Sequence, residues 1–282
     1  MRRFAFLAFS ALAVGADLKV DHITVAGDSL EKLRGMFAKA GIETEYGGKH
    51  SNGSTEMALA SFPDGSYLEL IAPQPGHDAA AHYWGPFMSK NGGPCAWAIT
   101  SADIAGDRKK LESAGIAVQS ARNGRSRPDG VELKWETANV GSGSPGSFFP
   151  FLIHDETPRD RRVYPQGKPT TTKISGVRFV IIAVRDLKGA TARYRAAFGL
   201  GEPRIEDNAA FGGKLAGFPD SPVILASGNG WIAQRLKDFD EAPCAFVLKS
   251  NEGWPGKASK LFSGDVVWMD ERLGGMRIAV GP

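Results

Sequence analysis

An internal repeat constrains the fold of this chain more than any other feature. Self-similar segments at a nearly constant offset indicate duplicated structural units, so the sequence predicts two related copies. The matching pairs are residues 19–30 with 176–187, LASFPD at 59–64 with LAGFPD at 215–220, and PCAWAI from residue 94 with PCAFVL from residue 243.

The copies divide the chain into domains. We place them at residues 17–156 and 174–282, and we interpret 157–173 as a linker because it is rich in charge, proline and threonine and has no apolar periodicity. The first copy divides again into two units of the same order: a strand, a helix and three strands. In its first unit, a strand at 20–26 precedes a helix at 29–40 that places Leu30, Leu33 and Phe37 on one stripe.

The second copy follows the same order less regularly. We therefore predict an α+β fold of four βαβββ units paired into two domains, in which the second domain is degenerate and its last unit has decayed.

The N-terminus has the three parts of a secretory signal. Met1-Arg2-Arg3 precedes an apolar run over 4–14, and Val14-Gly15-Ala16 offers small residues for cleavage. The run of roughly eleven apolar residues is too short for a bilayer, which needs ~20. We expect residues 1–16 to be removed and the mature protein to be periplasmic or secreted.

Charge and composition limit the kinds of binding partner that we expect. Lys and Arg number 34 against 31 Asp and Glu, a net charge of +3 without a long basic run, so nucleic acid is not an expected partner. No later stretch is long and apolar enough to predict a membrane contact after signal cleavage. Two copies in one chain can pair with each other, so both a monomer and a homodimer are compatible with the sequence.

The two cysteines, Cys95 and Cys244, open equivalent strands of the two copies. An oxidising compartment permits a disulfide, while the apolar surroundings favour buried free thiols. Spacing alone does not decide between them.

Several motifs carry a family resemblance. The motifs are VDH at 20–22, GGKH at 47–50, YLELI at 67–71, RSRPDGVELKW at 125–135 and PFLI at 150–153. Together, in this order, they resemble the glyoxalase-like domain family of the glyoxalase/bleomycin-resistance/extradiol-dioxygenase superfamily, also called the vicinal oxygen chelate fold.

The resemblance implies a metal held between paired units by their first and last strands. His22 takes the first-strand ligand position and Glu69 the last-strand position, and His50 is the favoured third ligand. Two imidazoles and one carboxylate suit divalent Fe, Mn, Ni or Zn. Side chains alternate along a strand, so Thr24 shares a face with His22, and Tyr67 shares one with Glu69.

The ligand pattern is incomplete elsewhere in the chain. In the second unit the corresponding positions fall on Ala96 and on or beside Phe151, which do not bind metals. In the second copy they fall on Phe179 and Leu225, so we expect that copy to be a structural partner without a site.

Other residues are candidates for catalysis or substrate binding. His154 is a candidate third ligand or general base. Arg125 and Arg127 flank a turn and could clamp a carboxylate or phosphate group, and a solvated turn is the alternative. The remaining predicted substrate-binding residues are Thr24, Tyr67, Trp97, Trp135 and Phe151.

Two functions remain open at this point. The first is a metal-dependent lyase, isomerase or dioxygenase acting on a small substrate that chelates the metal through its oxygen atoms. The second is a metal-free protein that binds a small molecule, as bleomycin-resistance relatives do. The sequence has no phosphate-binding glycine loop, no GxSxG elbow and no HExxH motif that would favour other chemistry.

Overall fold

A computed structural model describes residues 18–282. The predicted signal at 1–16 lies outside the described residues, so its prediction stays untested. Within this range the chain forms two eight-stranded sheets with the same topology.

The first sheet contains two βαβββ units, as the repeat predicts. Its elements are β1 (Val20–Ala26), α1 (Leu30–Lys39), β2 (Glu45–Lys49), β3 (Thr55–Ser61), β4 (Tyr67–Pro73), α2 (Gly85–Ser89), β5 (Gly93–Thr100), α3 (Ile104–Ser113), β6 (Val118–Ser126), β7 (Glu132–Val140) and β8 (Phe151–Asp155). The strand order is β2-β3-β4-β1-β5-β8-β7-β6. The first and last strands of each unit pair in parallel, and the two units join where β1 runs antiparallel to β5.

The second sheet repeats this order as β10-β11-β12-β9-β13-β16-β15-β14. Its last unit has no helix between its first two strands, where residues 250–257 contain two glycines and a proline, so the predicted decay is confirmed. The elements of this half are α4 (Arg159–Val163), β9 (Gly176–Ala183), α5 (Leu187–Phe198), β10 (Arg204–Asn208), β11 (Gly213–Gly217), β12 (Val223–Ser227), α6 (Trp231–Phe239), β13 (Pro243–Lys249), β14 (Ala258–Leu261), β15 (Gly264–Trp268), a 3-10 turn (Asp270–Leu273) and β16 (Arg277–Gly281).

Helix α1 shows why these residues adopt this structure. The Ser29 side chain accepts a hydrogen bond from the Lys32 backbone N–H at 3.3 Å and caps the first turn. The predicted stripe of Leu30, Leu33 and Phe37 is buried against the sheet. Gly41 follows with φ +86°, a conformation that ends the helix at little cost because glycine has no Cβ.

One apolar core joins the helix-covered faces of the two sheets. It contains buried side chains from α1, α3 and α5, and residues of both sheets such as Trp97 and Phe246. The Tyr194 hydroxyl, on α5, donates to the Phe148 carbonyl of the first half. The two copies therefore stabilise each other through a shared interior.

The opposite faces of the two sheets differ. In the second sheet this face is filled by a cluster that includes Phe211, Ile224 and Val247. Arg277 closes it, donating to the Phe211 carbonyl at 3.0 Å with its guanidinium 4.5 Å from the Trp231 ring centre. In the first sheet the same face is open and forms a cleft.

The segment predicted as a linker needs a correction. It does connect the two sheets, but its helix α4 packs against the first sheet and buries Arg162, which is 4% exposed. The cysteines are both free and buried. Among residues 18–282, no helix combines the length and apolar character that a bilayer crossing requires.

Candidate active site

The open face of the first sheet lines a cavity of about 360 Å³. That volume lies at the lower end of the range for small-molecule sites. Among the residues predicted from the sequence, the structure brings seven to its wall: His22, His50, Tyr67, Glu69, Arg125, Trp135 and Phe151.

Strand pairing positions Glu69 among polar partners. In the parallel register of β1 and β4, Thr24 lies opposite Glu69 and His22 lies opposite Tyr67. Thr24 Oγ1 donates to Glu69 Oε2 at 3.0 Å. His50 Nε2 lies 3.2 Å from Glu69 Oε1, and His22 Nε2 lies 4.0 Å from Glu69 Oε2. The two imidazoles therefore approach opposite oxygens of one carboxylate.

This environment keeps Glu69 ionised although it is only 8% exposed. Burial raises the pKa of Glu69, but the hydrogen bond from His50, the charges of His50 and His22, and the hydrogen bond from Thr24 outweigh burial and lower the pKa to about 2. Glu69 is thus a carboxylate at neutral pH, the form that binds cations.

His22 is held in one orientation by Asp21. Its Nδ1 lies 2.7 Å from Asp21 Oδ1, and because a carboxylate only accepts, Nδ1 carries a hydrogen; in the neutral ring the lone pair is therefore on Nε2. The ring stacks on Tyr67 at 4.7 Å and meets the edge of Phe151 at 5.3 Å between ring centres. A histidine fixed in this way, through its second nitrogen, is typical of metal ligands.

Behind His22 lies a buried ion-pair network that the sequence analysis missed. Asp21 is fully buried, and burial raises its pKa, but Arg162, His22 and Arg159 together hold the pKa well below its usual range. Arg162 donates to Asp21 Oδ1 at 3.1 Å and to Asp21 Oδ2 at 2.9 Å, and it also binds both oxygens of Asp155. The sequence signals were the acidic neighbour of His22 and the charged run 159–162, which lies in the segment assigned to the linker.

A bulge at two glycines brings His50 to the cleft. The pairing of β2 with β3 shifts by one residue between Tyr46 and Gly48, and Gly48 has φ +112°. His50 follows, with Nδ1 2.9 Å from Thr55 Oγ1. A hydroxyl can accept as well as donate, so Thr55 is compatible both with the tautomer of His50 that donates from Nε2 to Glu69 and with the tautomer that would bind a metal through Nε2.

His22, His50 and Glu69 suit a divalent ion chemically. Two ligand atoms each about 2.1 Å from one ion stand about 3.0–3.4 Å apart in tetrahedral or octahedral geometry. The His50–Glu69 separation of 3.2 Å falls in this interval, and the His22–Glu69 separation of 4.0 Å exceeds it. Accordingly, no three His, Cys, Asp or Glu side chains within residues 18–282 are already arranged as a metal site. A metal would require a small inward shift of His22 or Glu69.

The positions of the second βαβββ unit that correspond to His22 and Glu69 hold apolar residues, as predicted, but they are not the residues that we predicted. Strand β5 pairs Ala98 with Phe151, as β1 pairs His22 with Tyr67, so the counterparts of His22 and Glu69 are Ala98 and Ile153. The predicted Ala96 is two residues away on the same strand.

The second copy requires a similar correction. Ile224 belongs to the cluster that fills the inner face of the second sheet, whereas the predicted Leu225 belongs to the shared core. Phe179, which was predicted to correspond to His22, packs against this inner cluster, so it lies on the face equivalent to that of His22. Apolar residues thus occupy these positions, and the second copy serves as a structural partner.

The structure separates the two predicted arginines. Arg125 lines the cleft, and its Nη1 donates to the Gly47 carbonyl at 2.7 Å, joining edge strand β6 to edge strand β2. Arg127 lies outside the cleft because Asp129 and the carbonyls of Arg161 and Pro165 hold its guanidinium. Of the two, Arg125 alone lines the main cavity, while both border a second, smaller cavity of about 120 Å³.

Three further predicted residues do not reach the cavity wall. Trp97 is fully buried on the helix-covered face, because it lies one position away from Ala98 and side chains alternate. His154 lies outside the cavity wall, and its Nδ1 lies 2.9 Å from the Ser101 carbonyl oxygen. Thr24 acts behind the wall, through its hydrogen bond to Glu69.

The structure adds an aromatic rim that we did not predict. His82, Tyr83 and Trp84, just before α2, line the cavity. His82 Nδ1 accepts the Trp84 backbone N–H at 3.1 Å, and burial lowers the pKa of His82. The available sequence signal was the run of three consecutive ring side chains at 82–84.

Comparisons with known proteins agree with this architecture. Residues 20–198 match the sequence profile of a family described as "Glyoxalase-like domain". No protein with a curated function matches the chain in sequence.

Solved structures share the whole fold. A hypothetical protein from Staphylococcus aureus superposes with a TM-score of 0.66 at 17% identity, over 93% of this chain and 98% of that chain. A triple mutant of 4-hydroxymandelate synthase from Streptomyces coelicolor gives 0.61 at 10% identity, over 94% and 92%. A Mn(II)-bound glyoxalase from Novosphingobium aromaticivorans gives 0.53 at 7% identity, over 93% and 81%. At these identities the likeness shows the fold alone, and it confirms the predicted pairing of βαβββ units.

Proposed function

The chain belongs to the glyoxalase-like domain family, and from this premise we propose that it is a metal-dependent enzyme acting on a small molecule with adjacent oxygen atoms. One observation carries the proposal: Asp21 fixes the tautomer of His22 so that its Nε2 lone pair faces the Glu69 side, where His50 also presents Nε2. The description of one fold neighbour as a Mn(II)-bound glyoxalase supports a divalent ion.

A divalent ion held by His22, His50 and Glu69 would supply Lewis acidity to the oxygen atoms of a chelating substrate. Glu69 would serve as a ligand that balances the charge of the ion, since the hydrogen bonds from His50 and Thr24 and the charges of the two histidines keep it an anion.

Tyr67 is suited to donate a hydrogen bond to substrate. Its hydroxyl accepts from Arg162 Nη1 at 2.6 Å, so its own hydrogen is available to the cleft. Burial, more than any other influence, raises the pKa of Tyr67 far above its ordinary value, so the group stays protonated. An oxygen that gains negative charge during reaction would be stabilised by this donor.

His82 is positioned to hold a proton at the rim. Because its Nδ1 accepts the Trp84 backbone N–H, the neutral ring carries its hydrogen on Nε2. Proton relocation next to a carbonyl, as in a lyase or isomerase, and oxygen insertion by an Fe(II) dioxygenase are both compatible with these residues.

Metal content tests the proposal directly. Protein produced without a histidine tag is loaded with Fe(II), Mn(II), Ni(II) or Zn(II) in turn, desalted and measured by mass spectrometry. We expect close to one ion per chain, lost in His22→Ala and in Glu69→Gln. His77→Ala, which changes an exposed histidine outside the cavity, is the matched control and should keep the metal. Wild-type protein that retains none of the four ions would overturn the proposal.

A metal-free binding protein is the second candidate, favoured by one observation. Thr24 and His50 already form hydrogen bonds with the two oxygens of Glu69, and the equivalent positions of the second unit, Ala98 and Ile153, are apolar. In that case ligand binding would ignore chelators and survive His22→Ala.

We further propose that residues 1–16 direct export. The mass of the protein recovered from outside the cytoplasm should correspond to a chain starting at Asp17. A full-length mass, or retention in the cytoplasm, would contradict export.

A further inference from the structure

Arg125 is a buried cation without an acidic partner. It is 8% exposed and forms one hydrogen bond within the described chain, from Nη1 to the Gly47 carbonyl. By contrast, the neighbouring Arg162 is paired with Asp21 and Asp155. A guanidinium has five N–H donors, and a buried charge without a counterion is costly. Burial lowers the pKa of Arg125 more than Tyr67 and Glu69 raise it, as expected for a cation short of anions.

The charges around the cleft leave room for an anion. Two arginines, Arg159 and Arg162, balance Asp21 and Asp155 in the network behind His22. Of the charged side chains that line the cavity, Glu69 and Arg125 then remain, and they cancel. A divalent ion at Glu69 would give the cleft an excess positive charge of about two, which attracts anionic molecules.

The rest of the wall limits what such an anion can be. The wall contains apolar and aromatic side chains, which could contact the body of a ligand, together with polar ones. The first group includes Met57, Leu59, Trp135 and Phe151, and the second includes Ser51, Asn52, Asn123, Thr137 and Asn139. A volume of about 360 Å³ admits a molecule built around one ring or a short chain. A planar guanidinium matches the two oxygens of a carboxylate.

We propose that Arg125 binds the carboxylate of the substrate, which is a small carboxylic acid with an apolar body. This rests on the proposed function, because both concern the same cleft. Arg125 thereby has two roles: its Nη1 closes the sheet edges through Gly47, and its remaining N–H groups select the acid.

A matched pair of probes tests the assignment. We would titrate 3,4-dihydroxybenzoate and its neutral amide, 3,4-dihydroxybenzamide, into the full mature chain by calorimetry, once loaded with Mn(II) and once with a chelator present. A charge-assisted pair predicts about 10- to 100-fold tighter binding of the acid in both conditions. Equal affinities for acid and amide would overturn the inference.

Substitutions of Arg125 distinguish recognition of the carboxylate from a purely structural role of this side chain. Arg125→Met should reduce the acid-to-amide preference to near one, and Arg125→Lys should keep a preference for the acid. Arg122→Met changes an exposed arginine on the same strand, outside the cavity, and should leave the preference unchanged. If Arg125 only joins the two edge strands, Arg125→Met should weaken the binding of both probes equally, and that result would refute the assignment. If Arg125→Met does not fold, the acid-to-amide affinity ratio of the wild type and of Arg125→Lys still tests the assignment.

The two conditions distinguish the two proposals. Loss of the acid preference in both conditions contradicts only the role of Arg125. A preserved acid preference with no effect of Mn(II) on either probe contradicts only the metal-dependent function.

Discussion

Replacing Arg162 by methionine tests whether the buried network behind His22 is as tightly formed as the structure shows. Arg162 is 4% exposed and bonds to Asp21, Asp155 and Tyr67. Arg162→Met removes the cation while leaving both carboxylates buried. Losing one partner of a buried ion pair costs about 3–5 kcal/mol.

The magnitude should fall near the lower end of that interval. Arg159 still contacts Asp21 and lies 3.1 Å from Asp155, so part of the negative charge remains balanced. We expect the free energy of unfolding to fall by about 3 kcal/mol, equivalent to about 6–12 °C in Tm for a chain of this size.

Urea unfolding followed by tryptophan fluorescence measures this loss. Arg161→Met is the matched control, since Arg161 is the exposed neighbour in α4, and its effect should stay within about 0.5 kcal/mol. The double variant Asp155→Asn/Arg162→Met should regain at least about 0.5 kcal/mol, because it removes one uncompensated carboxylate. A loss below about 1 kcal/mol for Arg162→Met would show that the network is solvated and the reasoning wrong.

The remaining predictions concern the sheet faces on which two tryptophans lie, the reactivity of the two cysteines and backbone strain at Gly48. Trp97→Ala should cost about 3–5 kcal/mol of unfolding free energy because Trp97 is core, whereas Trp135→Ala should cost little and weaken 3,4-dihydroxybenzoate binding; the reverse pattern in urea unfolding and calorimetry would contradict the face assignment. Burial raises the pKa of Cys95 and raises that of Cys244 to about 12, so a thiol reagent at pH 8 should detect neither in native protein and both after denaturation without reductant; no reactive thiol in the denatured protein would indicate a disulfide. Gly48→Ala should destabilise by about 1–2 kcal/mol, since φ is +112° and the added Cβ would lie 3.3 Å from Pro128 Cδ, while Gly35→Ala, in open space on α1, should stabilise by about 0.5–1 kcal/mol; equal effects in urea unfolding would refute the strain argument.

Much of the fold follows from local pattern. The stripe of Leu30, Leu33 and Phe37 predicted α1, and the duplicated motifs predicted two copies of one topology. Alternation along strands also placed His22 with Thr24, and Tyr67 with Glu69, on shared faces. The same rule excludes Trp97 from the cleft once Ala98 is recognised as the counterpart of His22, so that error lay in the alignment of the units.

Other features of the site depended on tertiary structure. Asp21 and Arg162 stand 141 positions apart, and their contact arises only when α4 packs against the first sheet. The hydrogen bond from Arg125 to the Gly47 carbonyl joins the two edge strands of a curled sheet, and no local sequence pattern predicts such a contact.

The sequence by itself determined which residues share a strand face, because the backbone period of two is a local property. Only the tertiary structure decided which of those faces opens to a cleft and which charged side chains border it. Packing settled both, since the second sheet fills its inner face with apolar side chains while the first leaves Glu69 and Arg125 beside an open cavity.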